Sequence, residues 1–565
     1  MIPLDDPAIT RPGPERFSAF GRVSAAPRPP GEPIKRRFNN HPDNGLNVEG
    51  EHAMRGKALT VAAQGAPWAV HILAAALLLF SVGVVNGRPA FFGDTSFYYS
   101  QGEYLATTLG YPPLPMTKAR RADLDSVIPG SRGFDSGHSL IIAKARSPIY
   151  GLFFFLCERL GGLWLLVFAQ CWIAAWIIAL TARVMAPRAP LRAYWSAAVL
   201  LTLGSSLPFY ADFAMPDVFA GFAVLGLVVL TLYRDRLSRL DQAGVWALLA
   251  FAAAAHTANA LLVVGVGVAF AALSALRRRP LRPLLAPAAL AASAVAVALA
   301  LTAGAGVLYQ RGAGAGQSAP PFLMAKVLED GPGRAYLAAH CPGGAAPTLC
   351  ALRPRPMTSA EDFLWSWAPD KGMAMVVSPQ TVVQLKHQEP AFVMQAVIAQ
   401  PWPELRAAAA GWAQQLALFQ TLEPLHNPAE FLAFPWWVNT SIWTILPGHA
   451  ACQSQPRRCQ PRLSALPINI LDGLVLLVAL AAAIFAALSS DLRRSIAALD
   501  APRRAEISRG GQAALLLGLA ILANAAVCGI LSSPFPRYEA RLIWTAPLIA
   551  WLVLSALPWR RARQP

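Results

Sequence analysis

Long apolar runs separated by short polar segments dominate the chain. Runs of about 17 to 25 apolar residues match the length of a helix that crosses a bilayer. They occupy 67–86, 163–183, 193–210, 214–233, 284–308, 469–488, 512–531 and 541–557. A further apolar block, 244–276, is interrupted by HTAN at 256–259 and is interpreted as two shorter helices. The pattern predicts an all-α polytopic membrane protein, a bundle of about ten transmembrane helices.

Basic residues collect on one side of this predicted bundle. The composition is 55% hydrophobic and 14% charged, which is too apolar for an ordinary soluble protein. The net charge of +17 comes from short clusters such as RRRPLR (277–282) and WRRAR (559–563). Because Lys and Arg favour cytoplasmic loops, the clusters predict an inner (cytoplasmic) membrane protein with cytoplasmic N- and C-termini. Nucleic acid is not a predicted partner, since no basic face or known motif accompanies the charge.

This orientation divides the chain into five parts. Residues 1–58, rich in Pro, Arg and Gly and without the pattern of a cleavable signal peptide, are predicted to be a disordered cytoplasmic tail. Residues 59–308 are a transmembrane module whose first extracytoplasmic loop, 87–162, carries interfacial helices, one of them over 148–160. The other parts are a small extracytoplasmic region (309–468), C-terminal transmembrane helices (469–557) and a basic cytoplasmic tail (558–565).

Four cysteines of the extracytoplasmic region occur as two close pairs, Cys341 with Cys350 and Cys452 with Cys459. Disulfides form in an oxidising compartment, which agrees with the predicted side of the membrane. Zinc binding is the competing interpretation, but neither CPGGAAPTLC nor CQSQPRRC has the spacing of metal ligands. The sequence therefore favours two disulfides.

An acidic and aromatic cluster, GDTSFYYSQGEYL, begins soon after the first span ends. Ionised Asp94 next to hydrocarbon is costly unless it is paired or faces water. Two interpretations are open for it: an N-cap of the following helix, or a group that reacts or binds. Glu103 comes nine residues after Asp94, about 180° around an ideal helix, so the two need not act together, and the position is interpreted as facing water.

Polar residues also mark two predicted outer turns. Asp217 follows Pro216 in FYADFAMPD (209–217), where it either begins the next helix or takes part in binding. His256 and Asn259 occupy the outer turn of the helical pair, either as interface residues or as members of a site.

The outer mouth of the last span carries PRYEAR, with Arg537, Tyr538 and Arg541. Basic residues on the outer side run against the charge bias of the rest of the chain. Two arginines four residues apart share a helix face, and guanidinium groups suit phosphate oxygens. Anchoring to lipid headgroups is the alternative.

These motifs together resemble the GT-C superfamily of integral-membrane glycosyltransferases, in particular the bacterial relatives of protein O-mannosyltransferases and the lipid A aminoarabinose transferase. The resemblance rests on an acidic residue in the first outer loop (Asp94), on SPIYGLFFFLCERLGG (147–162) and on PRYEARLIWTAP (536–547). It covers residues 60–310 and 510–557. The chain departs from the family where Thr95, and not a second acidic residue, follows Asp94, and where Met215 and Pro216 stand before Asp217 in place of an Arg.

The resemblance implies an enzyme that moves a sugar from a polyprenyl-phosphate-linked donor to an extracytoplasmic glycan, lipid or protein, with inversion. Asp94 would be the general base, and Arg537 and Arg541 would hold the lipid phosphate. The same resemblance makes Tyr98, Glu103, Asp217, His256, Asn259 and Tyr538 candidates for substrate binding. A divalent metal is an open question. Two alternatives remain: a transporter or flippase of lipid-linked glycans, and an assembly protein that keeps the fold without the activity.

Overall fold

A computed structural model describes most of the chain between residues 68 and 556. The described residues are 68–112, 146–276, 282–313, 319–341, 343–353, 357–366, 370–374, 376–421 and 462–556. The two predicted tails, 1–58 and 558–565, lie outside them, as does the cysteine pair Cys452 and Cys459.

Within the described residues the protein is all-helical, which confirms the predicted class. Short 3₁₀ turns cover Pro216–Val218 and Arg234–Arg236. The α-helices are α1 (Trp68–Asn86), α2 (Gly93–Thr108), α3 (Pro148–Met185), α4 (Pro190–Gly204), α5 (Leu207–Ala211), α6 (Phe219–Leu232), α7 (Arg239–Ala255), α8 (Thr257–Leu276), α9 (Arg282–Ala313), α10 (Phe322–Asp330), α11 (Pro332–His340), α12 (Pro347–Ala351), α13 (Ala360–Trp365), α14 (Pro379–Ala399), α15 (Pro401–Ala417), α16 (Leu466–Leu488), α17 (Ser490–Ala497), α18 (Ala501–Leu531), α19 (Arg537–Ile543) and α20 (Thr545–Ala556).

Five helices of the described chain, α1, α3, α8, α9 and α18, are long and apolar enough to cross a membrane. Two shorter apolar helices cover Pro216–Leu232 and Leu466–Val478. Other predicted spans are interrupted: the run 193–210 divides into α4 and α5, and the run 541–557 divides into α19 and α20. The chain is therefore a membrane-embedded helical protein, and the count of about ten spans stays a prediction.

Breaks in two helices fall at the polar or flexible positions of the sequence. The block 244–276 forms two helices, as predicted, with His256 in extended backbone between α7 and α8. Within α3 the backbone leaves helical geometry at Gly161 and Gly162, and Gly162 has φ +74°, a region that favours glycine. The break separates the segment 148–160, predicted to lie at the interface, from the predicted span 163–183.

Two close backbone contacts fix the start of the first outer loop. A Cβ on Gly102 of α2 would overlap the carbonyl oxygen of Gly151 in α3, so these helices cross at glycines. Just before α2, Ala90 forms an isolated bridge with Phe213, in the segment that leads to Pro216–Val218. The beginning of α2 and the turn before α6 are consequently held side by side.

The described residues between α9 and α16 form the helices α10 to α15, several of which pack on one another. Glu389 of α14 is buried and accepts hydrogen bonds from the backbone N–H groups of Leu323 and Met324, at 2.8 and 3.2 Å, which caps the start of α10. The sulfurs of Cys341 and Cys350 lie at disulfide distance, so this predicted pair is confirmed.

Candidate functional site

Asp94 lies in the first turn of α2, one residue after its first residue, Gly93. The N-cap is Phe92, whose backbone N–H donates to Oγ1 of Thr95 at 2.9 Å. The interpretation of Asp94 as the N-cap is therefore wrong, because Thr95 makes the local hydrogen bond in its place. The Asp94 carboxylate turns to partners that are distant in the sequence.

Arg146 is the nearest of these partners. Its Nη2 lies 2.5 Å from Oδ1 of Asp94, and the two side chains are 13% and 20% exposed, respectively. The Arg146 guanidinium also lies over the ring of Trp365 in α13, 5.3 Å from its centre. Sequence reasoning missed Arg146. The signal was present, since Arg146 is a basic residue in a loop predicted to be extracytoplasmic, directly before the helix that begins at Pro148.

Arg537 joins Asp94 to Asp217. Arg537 Nη2 lies 3.9 Å from Oδ2 of Asp94, and Arg537 Nε lies 3.4 Å from Oδ1 of Asp217. One helical turn further on, Arg541 Nη1 lies 3.8 Å from the same Asp217 oxygen. We call these five residues, Arg146, Asp94, Arg537, Asp217 and Arg541, the charge cluster. It contains three positive and two negative side chains.

The inner part of the charge cluster is buried. The side chains of Asp217 and Arg541 are each 1% exposed, and that of Arg537 is 7% exposed. Anchoring to lipid headgroups, the alternative for the two arginines, does not fit this burial. Within the described residues, Nε and Nη1 of both arginines and both carboxylate oxygens of Asp217 make no hydrogen bond, although the charges are paired. Asp217 does lie in the 3₁₀ turn that leads into α6, so the helix-start interpretation holds beside the ion pairs.

Tyrosine rings pack against the cluster. The Tyr538 ring centre lies 5.6 Å from the guanidinium carbon of Arg537 and also of Arg541. Tyr98 is buried and meets Tyr150 edge-on at 5.3 Å. The Tyr150 hydroxyl donates to Gln170 at 3.1 Å.

Gln170, a buried residue of α3, also hydrogen-bonds to the segment before Asp217. Its Nε2 donates to the backbone carbonyls of Ala211 and Phe213, at 3.1 and 2.8 Å. Phe213 in turn forms a bridge with Ala90, which precedes α2. The buried Gln170 amide therefore helps to hold the backbone segments that lead to Asp94 and to Asp217.

His256 lies near the cluster from the turn between α7 and α8. Burial, with the charges of Arg541, Arg146 and Arg537, lowers the pKa of His256 well below its ordinary value. Its Nδ1 accepts from the backbone N–H of Ala258 at 3.1 Å, so the proton of the neutral ring is assigned to Nε2.

Asn259 and Glu103 are both buried. The Asn259 amide donates to the carbonyl of Ala252 at 3.0 Å, which ties the end of α7 to the start of α8. Glu103 is buried, so the interpretation that it faces water is wrong. Its position on α2 is one turn from Tyr99, whose ring packs against Phe154 of α3, and α3 covers that face.

The region between α9 and α16 also reaches the cluster. Besides Trp365, α13 brings Glu361 within electrostatic range of Asp94 and Arg146. A second carboxylate thus lies near Asp94, although it comes from a distant segment and not from the first loop. Among the described residues, no group of three or more His, Cys, Asp or Glu side chains is arranged to hold a metal ion.

In the part of the chain that the structure describes, the protein is all-helical and membrane-embedded, and its charge cluster of five members has one positive charge in excess. Comparisons with known protein families, characterised proteins and solved structures give no match. The likeness to GT-C glycosyltransferases consequently rests on the short motifs of the sequence.

Proposed function

We propose that the protein is a membrane glycosyltransferase that moves a sugar from a polyprenyl-phosphate-linked donor to an extracytoplasmic acceptor. The observation that carries the proposal is the charge cluster. Three arginines surround two aspartates, and Arg537 and Arg541 keep buried N–H groups that no described acceptor uses. A phosphate group would supply both the missing negative charge and the oxygen acceptors.

The position of Asp94 supports a role as general base. Its side chain is the most exposed of the five, at 20%, so an acceptor hydroxyl can reach it. In the proposed step the hydroxyl oxygen attacks the anomeric carbon of the donor and its proton passes to the Asp94 carboxylate. The bond between that carbon and the phosphate oxygen breaks at the same time, with inversion. The leaving phosphate takes the electron pair and is stabilised by Arg537 and Arg541.

Other members of the site would bind substrate. Neutral His256, with its proton on Nε2, is suited to donate to a sugar oxygen. The rings of Tyr98 and Tyr538 would limit the space beside the anomeric carbon and the phosphate. Glu361 and Trp365 of α13 support a role of the 309–468 region in acceptor choice, since they lie near Asp94.

The proposed function requires the cluster to open on the outer side of an inner membrane. The basic clusters of the sequence support that orientation, with both termini in the cytoplasm. About ten spans, an interfacial helix over 148–160 and an oxidising location for the cysteine pairs belong to the same proposal. The break at Gly161 and Gly162 supports a change of helix direction at that point.

Asp94→Asn tests the proposal. Full-length protein in vesicles is supplied with a panel of undecaprenyl-phosphate-linked sugars and a cell-envelope extract as acceptor, and release of undecaprenyl phosphate is measured. We expect transfer from one donor by the wild type and a fall of about 10²- to 10⁴-fold in Asp94→Asn, the usual contribution of a general base. Asp491→Asn is the control, since that carboxylate is 83% exposed and far along the chain.

Two results would count against the proposal. Wild-type transfer by Asp94→Asn would remove the assigned base. Movement of an intact labelled glycolipid across the vesicle membrane, without release of undecaprenyl phosphate, would favour the flippase alternative.

A further inference from the structure

A buried asparagine on α18 holds the inner arginine of the charge cluster. Asn524 is fully buried, in a helix apolar enough to cross a membrane. Its Oδ1 accepts a hydrogen bond from Nη2 of Arg541 at 3.1 Å. A buried amide in such a helix is costly without hydrogen-bond partners, so its partners indicate which groups it positions.

The orientation of this amide is determined by its other contacts. Nδ2 of Asn524 donates to the backbone carbonyl of Tyr538 at 2.7 Å and to Oε2 of Glu539 at 2.8 Å. The Tyr538 carbonyl can only accept and the Arg541 guanidinium can only donate, so the NH₂ group must face the carbonyl and the amide oxygen must face Arg541. The flipped amide would put its oxygen against the Tyr538 carbonyl oxygen and its NH₂ group against the guanidinium.

The hydrogen bond to Asn524 occupies one of the three guanidinium nitrogens of Arg541. Nη2 is engaged by Asn524 and also lies 3.6 Å from the sulfur of Cys528. Nε and Nη1 make no hydrogen bond with described residues, and Nη1 is the atom nearest to Asp217. The guanidinium is thereby fixed with Nη2 on Asn524 and Nη1 beside Asp217.

The hydrogen bond from Arg541 to Asn524 also leaves the charge of Arg541 intact. An amide carries no charge, unlike a carboxylate in the same place. Burial raises the pKa of neighbouring Glu539 to about 8, against the opposing effects of the Asn524 hydrogen bond and the Arg541 charge, so this carboxyl is mostly neutral at pH 7.

We infer that Asn524 is a positioning residue that orients Arg541 for an anionic ligand, the phosphate of a lipid carrier. This inference rests on the proposed function. Asn524 does not touch the ligand. It acts by fixing the orientation of the Arg541 guanidinium plane. Its loss should therefore weaken phosphate binding only while Arg541 is present.

A double-mutant cycle measures this coupling. The probe is undecaprenyl phosphate, titrated onto the purified full-length protein in detergent micelles at pH 7. We expect Asn524→Leu to weaken binding by about tenfold, the range for a hydrogen bond to a charged group. Arg541→Ala should weaken it by at least as much, and Asn524→Leu should add less than about twofold in the Arg541→Ala background.

Gln415 supplies the matched control. It is a fully buried amide on α15 whose Nε2 donates to the Phe535 carbonyl at 3.0 Å and whose Oε1 accepts from the Phe535 N–H at 2.8 Å. It holds the same outer turn without contacting an arginine of the cluster. Gln415→Leu should lower thermal stability as Asn524→Leu does, and should leave affinity within about twofold.

The outcomes distinguish failure of the phosphate site from failure of the positioning role of Asn524. Equal binding by the wild type and Arg541→Ala would remove the phosphate site itself, and with it this part of the proposed function. Weak binding by Arg541→Ala with normal binding by Asn524→Leu would overturn only the positioning role. Additive losses in the double variant would do the same, because they would show that Asn524 does not act through Arg541.

Discussion

Two clusters of charged residues in this protein differ in charge balance and in hydrogen bonding. The charge cluster joins α2, α19 and the turn before α6 through ion contacts of 3.4 to 3.9 Å, apart from the closer pair of Arg146 and Asp94. The second, which we call the outer clamp, consists of Lys326, Glu329, Asp330 and Arg334 on α10 and α11.

Each charged side chain of the outer clamp has a hydrogen-bond partner. Lys326 donates to Asp330 at 2.8 Å, and Glu329 accepts from the Ser533 hydroxyl at 2.9 Å. Arg334 Nη1 donates to the carbonyls of Glu329 and Met357, both at 3.1 Å. Two positive and two negative groups also cancel, so the clamp has no net charge.

The contrast supports the proposal that the charge cluster, and not the outer clamp, binds an anionic ligand. A balanced, hydrogen-bonded group stabilises the fold and attracts no further ion. The charge cluster, with one positive charge in excess and unused N–H groups, gains from an added anion. Removal of an arginine from the charge cluster should therefore weaken anion binding, whereas removal of Arg334 from the outer clamp should lower stability and leave anion binding unchanged.

Asp217→Asn should have the largest effect on stability. The variant leaves Arg537 and Arg541 buried without their shared counter-charge, and breaking a buried ion pair from one side costs about 3–5 kcal/mol. The free energy of unfolding can be measured by SDS titration in mixed micelles. A change below about 1 kcal/mol would mean that the arginines are already neutralised or solvated in another way.

Arg334→Met and Arg537→Ala should separate the clusters directly. Loss of the Arg334 hydrogen bonds should lower the free energy of unfolding by about 1.5–3 kcal/mol and leave the affinity for undecaprenyl phosphate within about twofold. Arg537→Ala should weaken that affinity by about tenfold, and should raise the donor requirement more than it alters acceptor preference. Equal effects of the two variants on affinity would remove the distinction between the clusters.

The sequence predicted the members of the charge cluster that stand next to apolar runs. Asp94, Asp217 and Arg537 each lie a few residues from the end of a run, and the charge bias assigned all of them to one side. The structure joins them by ion pairs. Their functional roles stay predictions.

Residues that depend on helix contacts were missed or misjudged. Arg146 reaches Asp94 because α2 and α3 cross at Gly102 and Gly151, a contact that no local pattern encodes. Asn524 is one polar residue inside a long apolar run, and only the fold brings it to Arg541. The burial of Glu103 likewise follows from the packing of α3 over its side of α2.

The smallest expected effect concerns the pH dependence of affinity, through Glu539. Burial raises the pKa of this carboxyl to about 8, so it is neutral below that pH and negative above it. A negative Glu539 beside Arg541 would offset the positive charge that is proposed to hold the phosphate, so affinity for undecaprenyl phosphate should fall by about fivefold, ~1 kcal/mol, between pH 7 and pH 9. Glu539→Gln keeps an acceptor for Asn524 and cannot ionise, so its affinity should change only as the ligand's own phosphate does. The same pH profile in both proteins would show that Glu539 does not tune the site, and that the excess charge of the cluster is set by its five members alone.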